Sequence, residues 1–352
     1  MYNSYRKGVV GMMRTTAWML IVEVAMAALL LAGCGGTDTP VTGPGMLFVT
    51  VNDNGGPEAV AIFEMASARN GDTTPDRYLE GAQTGFQELG VCANNVVSQT
   101  DDLYLGDVAA DAIWIFSPVT SVDGNTAPTR TLQGANVPLD DLWGIAVDTT
   151  RDILYVGDSD TSKIYVWDDA ATINGNVTPD RTIEMGTGCR DIAVDQTNDR
   201  LYVCAASGDE IWILNNASTQ DGTVVIGRNI NGATTQLDNA HGIELDLSRD
   251  RLYVANRNTN AILAFDNVDT IDGNVAPLNV ISGAATGLDA PIDITLDRQR
   301  DHIYQVNDVA RDDAVRVWHN ASGADGNLPP NRVISNSAGL LDRSRALSFI
   351  SQ

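Results

Sequence analysis

The turn "DGNTAPTRTLQG" at Asp123–Gly134 returns as "NGNVTPDRTIEMG" from Asn174, "DGNVAPLNVISG" from Asp272 and "DGNLPPNRVIS" from Asp325. Its glycine falls at Gly71, Gly124, Gly175, Gly222, Gly273 and Gly326, spaced 53, 51, 47, 51 and 53 residues apart. A fixed period of this size restricts the chain to stacked copies of one supersecondary unit, a propeller or a solenoid. A complete copy reads "WGIAVDTTRDILYVGDSDTSKIYVWDDAATINGNVTPDRTI", Trp143 to Ile183. It holds four short strand candidates: "GIAVD" is small and apolar, "ILYVG" alternates around a tyrosine, "KIYVW" ends in an aromatic, and "RTI" is brief. After residue 33 no stretch sustains a 3.6-residue apolar period, so four strands per unit predict propeller blades.

The two ends fix the count. "MLFVTV", Met46–Val51, matches the tyrosine strand but has no "GIAVD" before it, and "RALSFI", Arg345–Ile350, matches the missing innermost strand. Five continuous units and one composite unit predict an all-β, six-bladed propeller over 46–352, its ring closed by a C-terminal strand joining the N-terminal blade. Closure removes the free edges of an open array. In the repeated turn, Asp-Gly or Asn-Gly supplies positive φ, and Pro128, Pro179, Pro277 and Pro330 fix φ before the outermost strand. Arg77, Arg130, Arg181 and Arg332 sit on or beside that strand, where they are expected to guard a blade edge. The aspartates Asp101, Asp152, Asp199, Asp250 and Asp301 close the first hairpin turn and are expected to accept from its own amides.

The formal net charge is −24, and −26 once the +2 of residues 1–33 is set aside. Such a surface repels phosphate backbones and anionic headgroups, so no nucleic acid partner is expected. Arg6, Lys7 and Arg14 lead into "AWMLIVEVAMAALLLAGC", the basic-then-apolar order of a leader. "LLAGC", Leu30–Cys34, resembles the lipobox of bacterial lipoprotein signal peptides, although Glu23 interrupts the apolar run. The resemblance implies a signal peptide over 1–33, lipidation at Cys34, and a flexible 34–45 linker. It also places the body outside the cytoplasm, held to the cell envelope by lipid alone; a monomer is expected. Gly35, rather than aspartate, after the cysteine favours the outer membrane.

"GIAVDTTRDILYVGDSDTSKIYVWD" resembles the NHL-repeat consensus, and the unit is similar to blades of gluconolactonase-like propellers. The likeness covers nearly all of 46–352 and supports the fold far more than any activity. Propeller ligands usually enter at a channel mouth, between the loops leading into the innermost strands. Trp143, Arg190, His241 and Arg345 stand just before the "GIAVD" equivalents and differ from blade to blade, as a specific pocket requires. Arginine and tryptophan there suit a small anionic or glycan-like ligand. Asp107, Asp158, Asn256 and Asn307 end the tyrosine strands on the same face. Either they tie their own loops, or, as the lactonase resemblance implies, they hold a metal such as Ca2+; the "DGN" turns are a second place for calcium, without the calcium-loop spacing. No G-x-S-x-G or H-E-x-x-H motif appears. The sequence therefore reads first as a binding or scaffold propeller for a small ligand or protein partner, with a metal-dependent lactonase-like hydrolase as the alternative. Cys92, Cys189 and Cys204 are expected to be buried thiols.

Overall fold

The computed structural model describes residues 45–52, 58–97, 100–206, 209–309 and 312–351, with the backbone alone for 91–97. The expected leader, Cys34 and residues 34–44 of the linker lie outside the described residues, as does the side chain of Cys92.

The described residues form six sheets, each of four antiparallel strands, and two of these sheets gain a short parallel fifth strand from the next blade. In blade 1, Ser344–Ile350 pairs with Met46–Val51, which pairs with Ala59–Glu64 and then Arg77–Glu80. The composite blade read from the two chain ends is therefore present. The other innermost strands are Leu89–Val97 (blade 2), Leu142–Asp148 (blade 3), Cys189–Asp195 (blade 4), Ala240–Asp246 (blade 5) and Pro291–Asp297 (blade 6). Each packs on the next, and the sixth on the first, around a closed circuit. Among the described residues, helix is limited to short 3-10 turns such as Ala66–Ala68 and Ala217–Thr219.

Alternation along each strand sends one apolar set to either side of the blade, and the core divides accordingly. Six apolar clusters lie one to each seam between neighbouring blades. The seam between blades 2 and 3, for example, brings Tyr104 and Ile113 onto Ile145 and Trp167. Tyr104, Tyr155, Tyr202, Tyr253 and Tyr304 are all buried, and Phe48 takes the same place in blade 1. Burying such a ring contributes about 1.5–3 kcal/mol, so the repeated aromatic strand is the main seam filler.

The repeated turn does more than end its own blade. Its glycine forms a parallel bridge to the outermost strand of the preceding blade: Gly124 to Leu79, Gly175 to Leu132, Gly273 to Ile230 and Gly326 to Ile281. Gly222 and Gly71 do the same to Ile183 and Ile334 within short paired stretches. The residue before the glycine caps an amide of that strand, as in Asp123 Oδ1 from Tyr78 N (3.1 Å) and Asp272 Oδ1 from Asn229 N (3.0 Å). The asparagine after it takes an amide beyond the strand, as in Asn274 Oδ1 from Thr234 N (2.7 Å). Each outer edge is thus covered by the following blade.

The outer-strand arginines are not edge guards facing solvent. Arg77 donates to the carbonyls of Val119 and Val122, Arg130 to Ala170 and Ile173, Arg228 to Val268 and Ile271, and Arg332 to Ala66 and Arg69. Every acceptor lies in the next blade. Blade 5 carries Asn279 at this place, and Arg251 of its second strand reaches the Ser322 carbonyl instead. Arg181 departs from the pattern, pairing with Asp168 of its own blade at 2.6 Å.

The turn aspartates also differ from expectation. The hairpin amides are taken by the aspartate that ends the innermost strand, as in Asp148 from Thr150 N and Arg151 N. Asp152 and its equivalents adopt positive φ, 53–58°, and reach the loop after the third strand, as in Asp152 from Ala171 N at 2.8 Å.

Candidate functional site

A β-bulge interrupts the start of the innermost strand in at least five blades. Leu142 pairs with Asp158 and Gly144 with Gly157, which leaves Trp143 unpaired; Arg190, Ile292 and Arg345 are skipped in the same way, and His241 shares its bulge with Gly242. A bulge re-aims the extra side chain. The positions singled out in the sequence are therefore the ones the fold frees from sheet pairing. We call this side of the channel, where chain enters the innermost strands, the inlet face.

Trp143, Arg190 and His241, from blades 3, 4 and 5, come together there. The guanidinium of Arg190 lies 5.7 Å from the centroid of the Trp143 ring, and the Trp143 and His241 rings are 5.4 Å apart. Trp143 is in turn hydrogen-bonded to Asp141. Arg190 Nη1 stands 2.6 Å from His241 Nε2. A guanidinium offers only donors, so Nε2 accepts and the proton of the neutral ring sits on Nδ1. Burial, then Arg190 and Arg257, push the His241 pKa down to about 3. The ring is 2% exposed, and its Nδ1 has no hydrogen-bond partner. Arg345 pairs with Asp308, at 2.9 Å, and Asp308 also takes Arg257 at 2.9 Å.

Asp107, Asp158, Asn256 and Asn307 are on the same face, opposite the residues that precede the bulges. All are 0–1% exposed. Asp107 accepts from the amides of Gln87, Glu88 and Ala110 and from Trp114 Nε1. Asp158 accepts from Asp140 N and from both donors of Thr161. Asn256 and Asn307 accept from Asp238 N and Asp289 N and donate to the Gln236 and Gly287 carbonyls. Each ties the loop that leads into its own innermost strand, and as metal ligands they would have to give up these bonds. Among the described residues no three His, Cys, Asp or Glu side chains are grouped to hold a metal. The "DGN" oxygens likewise serve the neighbouring blade.

Two features of the channel went unread in the sequence. Glu58, in blade 1, accepts from Leu89 N at 3.0 Å. Burial pushes its pKa up to about 7; the Leu89 hydrogen bond and Arg345 oppose the rise, while Asp107 and Glu88 add to it. The second is the position just after Trp143, which reads Gly144, Asp191, Gly242, Asp293 and Ala346 in successive units. An acid alternating with glycine in an apolar strand was the available signal. Asp191 and Asp293 are 6% and 4% exposed and face the lumen. Asp191 accepts from Ile192 N and from Ile243 N of the next blade; Asp293 accepts from Ile294 N and from Leu347 N of blade 1. Burial, then the neighbouring Asp293, hold the Asp191 carboxyl well above the usual carboxylate range.

Beside these acids the channel widens to a cavity of about 210 Å³. Its lining runs to Thr149, Gln196 and Arg298 in the turns that follow the innermost strands, and includes none of Trp143, Arg190, His241 or Arg345. The cavity thus belongs to the outlet face. Cys189 and Cys204 are buried free thiols; the Arg190 bulge sets Cys189 opposite Ala205, and Cys204 opposite Asp191.

A family profile described as "Lactonase, 7-bladed beta-propeller" matches residues 144–328, a little over half of the chain. No curated protein matches the sequence. Among solved structures, a chain of a nidogen/laminin complex superposes with a TM-score of 0.56 at 16% identity, covering 88% of this chain and 99% of that one. At that identity the likeness shows the propeller fold alone. The Cps50 (Swd1) β-propeller domain of Myceliophteria thermophila gives a TM-score of 0.48 at 12% identity, covering 72% of this chain and 74% of that one.

Proposed function

The chain belongs to the lactonase, seven-bladed β-propeller family, and from that premise we propose that it is a binding propeller whose inlet face recognises a small anionic or glycan-like ligand. The observation that carries this reading is the buried Nδ1–H of His241, left without an acceptor beside Arg190 and Trp143. An unmade hydrogen bond on a buried donor costs roughly 1–3 kcal/mol, and a ligand carboxylate or hydroxyl oxygen would supply it. Arg190 adds a charged donor and Trp143 a stacking face. The second reading, a metal-dependent lactonase-like hydrolase, draws on the family and on Glu58, whose pKa of about 7 suits proton transfer near neutrality.

A thermal-shift series with acetate, gluconate and glucose, each with and without calcium, tests the proposal. Stabilisation by acetate or gluconate that disappears in Arg190→Ala and Trp143→Ala is the expected result. Shifts that survive both substitutions, or that need calcium, move the site or favour the hydrolase. We further propose that the propeller is lipid-anchored through Cys34 outside the cytoplasm, on the strength of the "LLAGC" order. Membrane fractionation of Cys34→Ser should then find unlipidated protein, and unchanged membrane partition rejects the anchor.

A further inference from the structure

We infer that the inlet ligand is a dicarboxylate, with one carboxylate at His241, Arg190 and Trp143 and the second taken by Arg345 and Arg257. The inference rests on the inlet reading above and extends that site across blades 5, 6 and 1.

Three observations point to this chemistry. The first is placement. The residue just after the second strand reads Asn52, Val108, Ser159, Ala206, Arg257 and Asp308 around the ring. Its amide donates to a carbonyl of the inlet loop in each blade, as Arg257 does to Asn239 and Asp308 to Ala290. The backbone is thus pinned six times over, while charged side chains stand there in blades 5 and 6 alone. The second is charge. Asp308 accepts from Arg257 Nη2 through one oxygen and from Arg345 Nη1 through the other, both at 2.9 Å. Two guanidiniums therefore share one carboxylate. Glu58 also faces Arg345, but burial raises its pKa to about 7, so near neutrality it offsets that charge only in part.

The third is the run of unmade hydrogen bonds. Nε of Arg257 and Nε of Arg345 are both buried without a partner, as is Nδ1 of His241. Arg345 gives Nη1 to Asp308, which leaves its Nε–Nη2 edge, the two-donor fork that matches a carboxylate. Arg257 links the two halves of the site: it is close enough to His241 to help depress the pKa of that ring, and it shares Asp308 with Arg345. One carboxylate can answer His241 and Arg190, and the fork of Arg345 is then still unmet. A second carboxylate on the same molecule meets it, and joining the two groups makes the second contact intramolecular. Asp308 stays in place throughout, as the strut that aims both guanidiniums.

Calorimetry on the full-length protein with acetate, the straight-chain diacids from succinate to pimelate, and their monomethyl esters tests the inference. At least one diacid should bind roughly tenfold or more tightly than its own half-ester, the factor that goes with one charge-assisted hydrogen bond. Arg345→Lys keeps a cation for Asp308 but removes the fork, and should bring that diacid down to the level of its half-ester. Arg190→Ala should weaken acetate, half-ester and diacid together. Should Arg345→Lys fail to fold, arginine nitrogen NMR of the wild type decides, because the diacid should shift the Arg345 Nε resonance and acetate should not. Acetate that binds while every diacid merely equals its half-ester overturns the second subsite and leaves the inlet reading standing. A diacid advantage retained in Arg345→Lys, or an unmoved Arg345 Nε resonance, overturns it as well. If neither acetate nor any diacid binds, both readings fall.

Discussion

The rim of this propeller and its channel are built from the same six units by opposite rules. On the rim, Asp123, Asn174, Asp272 and Asp325 all cap an amide of the preceding blade. In the channel, the equivalent positions of successive blades hold Gly144, Asp191, Gly242, Asp293 and Ala346. Repetition marks contacts that must be identical for the ring to close, and variation marks places released from that duty. The rim tolerates two exceptions among its outer-strand arginines: Arg181 pairs with Asp168 of its own blade, and blade 5 carries Asn279 at this place.

The largest effect should come from breaking the ring itself. Deleting Arg345–Gln352 removes the innermost strand of blade 1, with buried Ala346, Leu347 and Ile350. At about 2 kcal/mol for each large aliphatic side chain, plus the exposed seams, the loss should reach several kcal/mol in chemical denaturation. A truncated protein that melts within about two degrees of the full chain, where 1 kcal/mol shifts a large domain by about 2–4 degrees, refutes the composite blade.

Arginine substitutions sharpen the rim's own comparison. Arg228→Met strips two carbonyls of a charged donor in the next blade and should cost about 2 kcal/mol. Arg181→Met breaks an ion pair whose Asp168 side chain is 47% exposed and should cost under about 1 kcal/mol. Equal losses would show that the cross-blade carbonyls do not matter.

Acid separates channel from rim in another way. His241 has a folded pKa of about 3 against 6.5 for the free side chain. A depressed histidine stabilises above its unfolded pKa, and that contribution is lost as pH falls from about 6.5 toward 3. Between pH 7 and 5 the loss is about 2 kcal/mol by linkage. His241→Asn should be flatter than wild type over that window in urea titrations; parallel curves would mean the ring is already charged. His302, stacked on His319 at 4.1 Å and pushed down to about 4 first by burial and then by His319 and Arg332, adds a loss of the same sign.

The smallest effect tests the rim cap alone. Asp272→Ala and Asp325→Ala should each cost about 1 kcal/mol and match one another. Unequal costs would mean that the repeated caps are not energetically equivalent.

Much of this architecture was legible in the sequence, because strand patterns and turn residues are local. The composite blade followed from "MLFVTV" and "RALSFI", and the inlet residues followed from aligning the units. The partners of the repeated turn were not legible: Asp123 meets Tyr78, 45 residues earlier, and no pattern within a unit reports a contact between units. The hairpin aspartates failed for a similar reason, since two acids stand near one turn and only geometry says which takes its amides. Asp191 and Asp293 were overlooked because the strand around them reads as apolar framework. Glu58 was overlooked because its partner, the Leu89 amide, lies 31 residues on in the next blade.

The clasp between blades also bears on how such a ring changes size. Each unit of about fifty residues carries both the Gly turn that clasps a neighbour and the outer strand that receives the next clasp. Duplicating or losing one whole unit during gene evolution therefore leaves every donor with a receiver, and only the curvature has to adjust. A six-sheet ring within a family described as seven-bladed is what such bookkeeping permits.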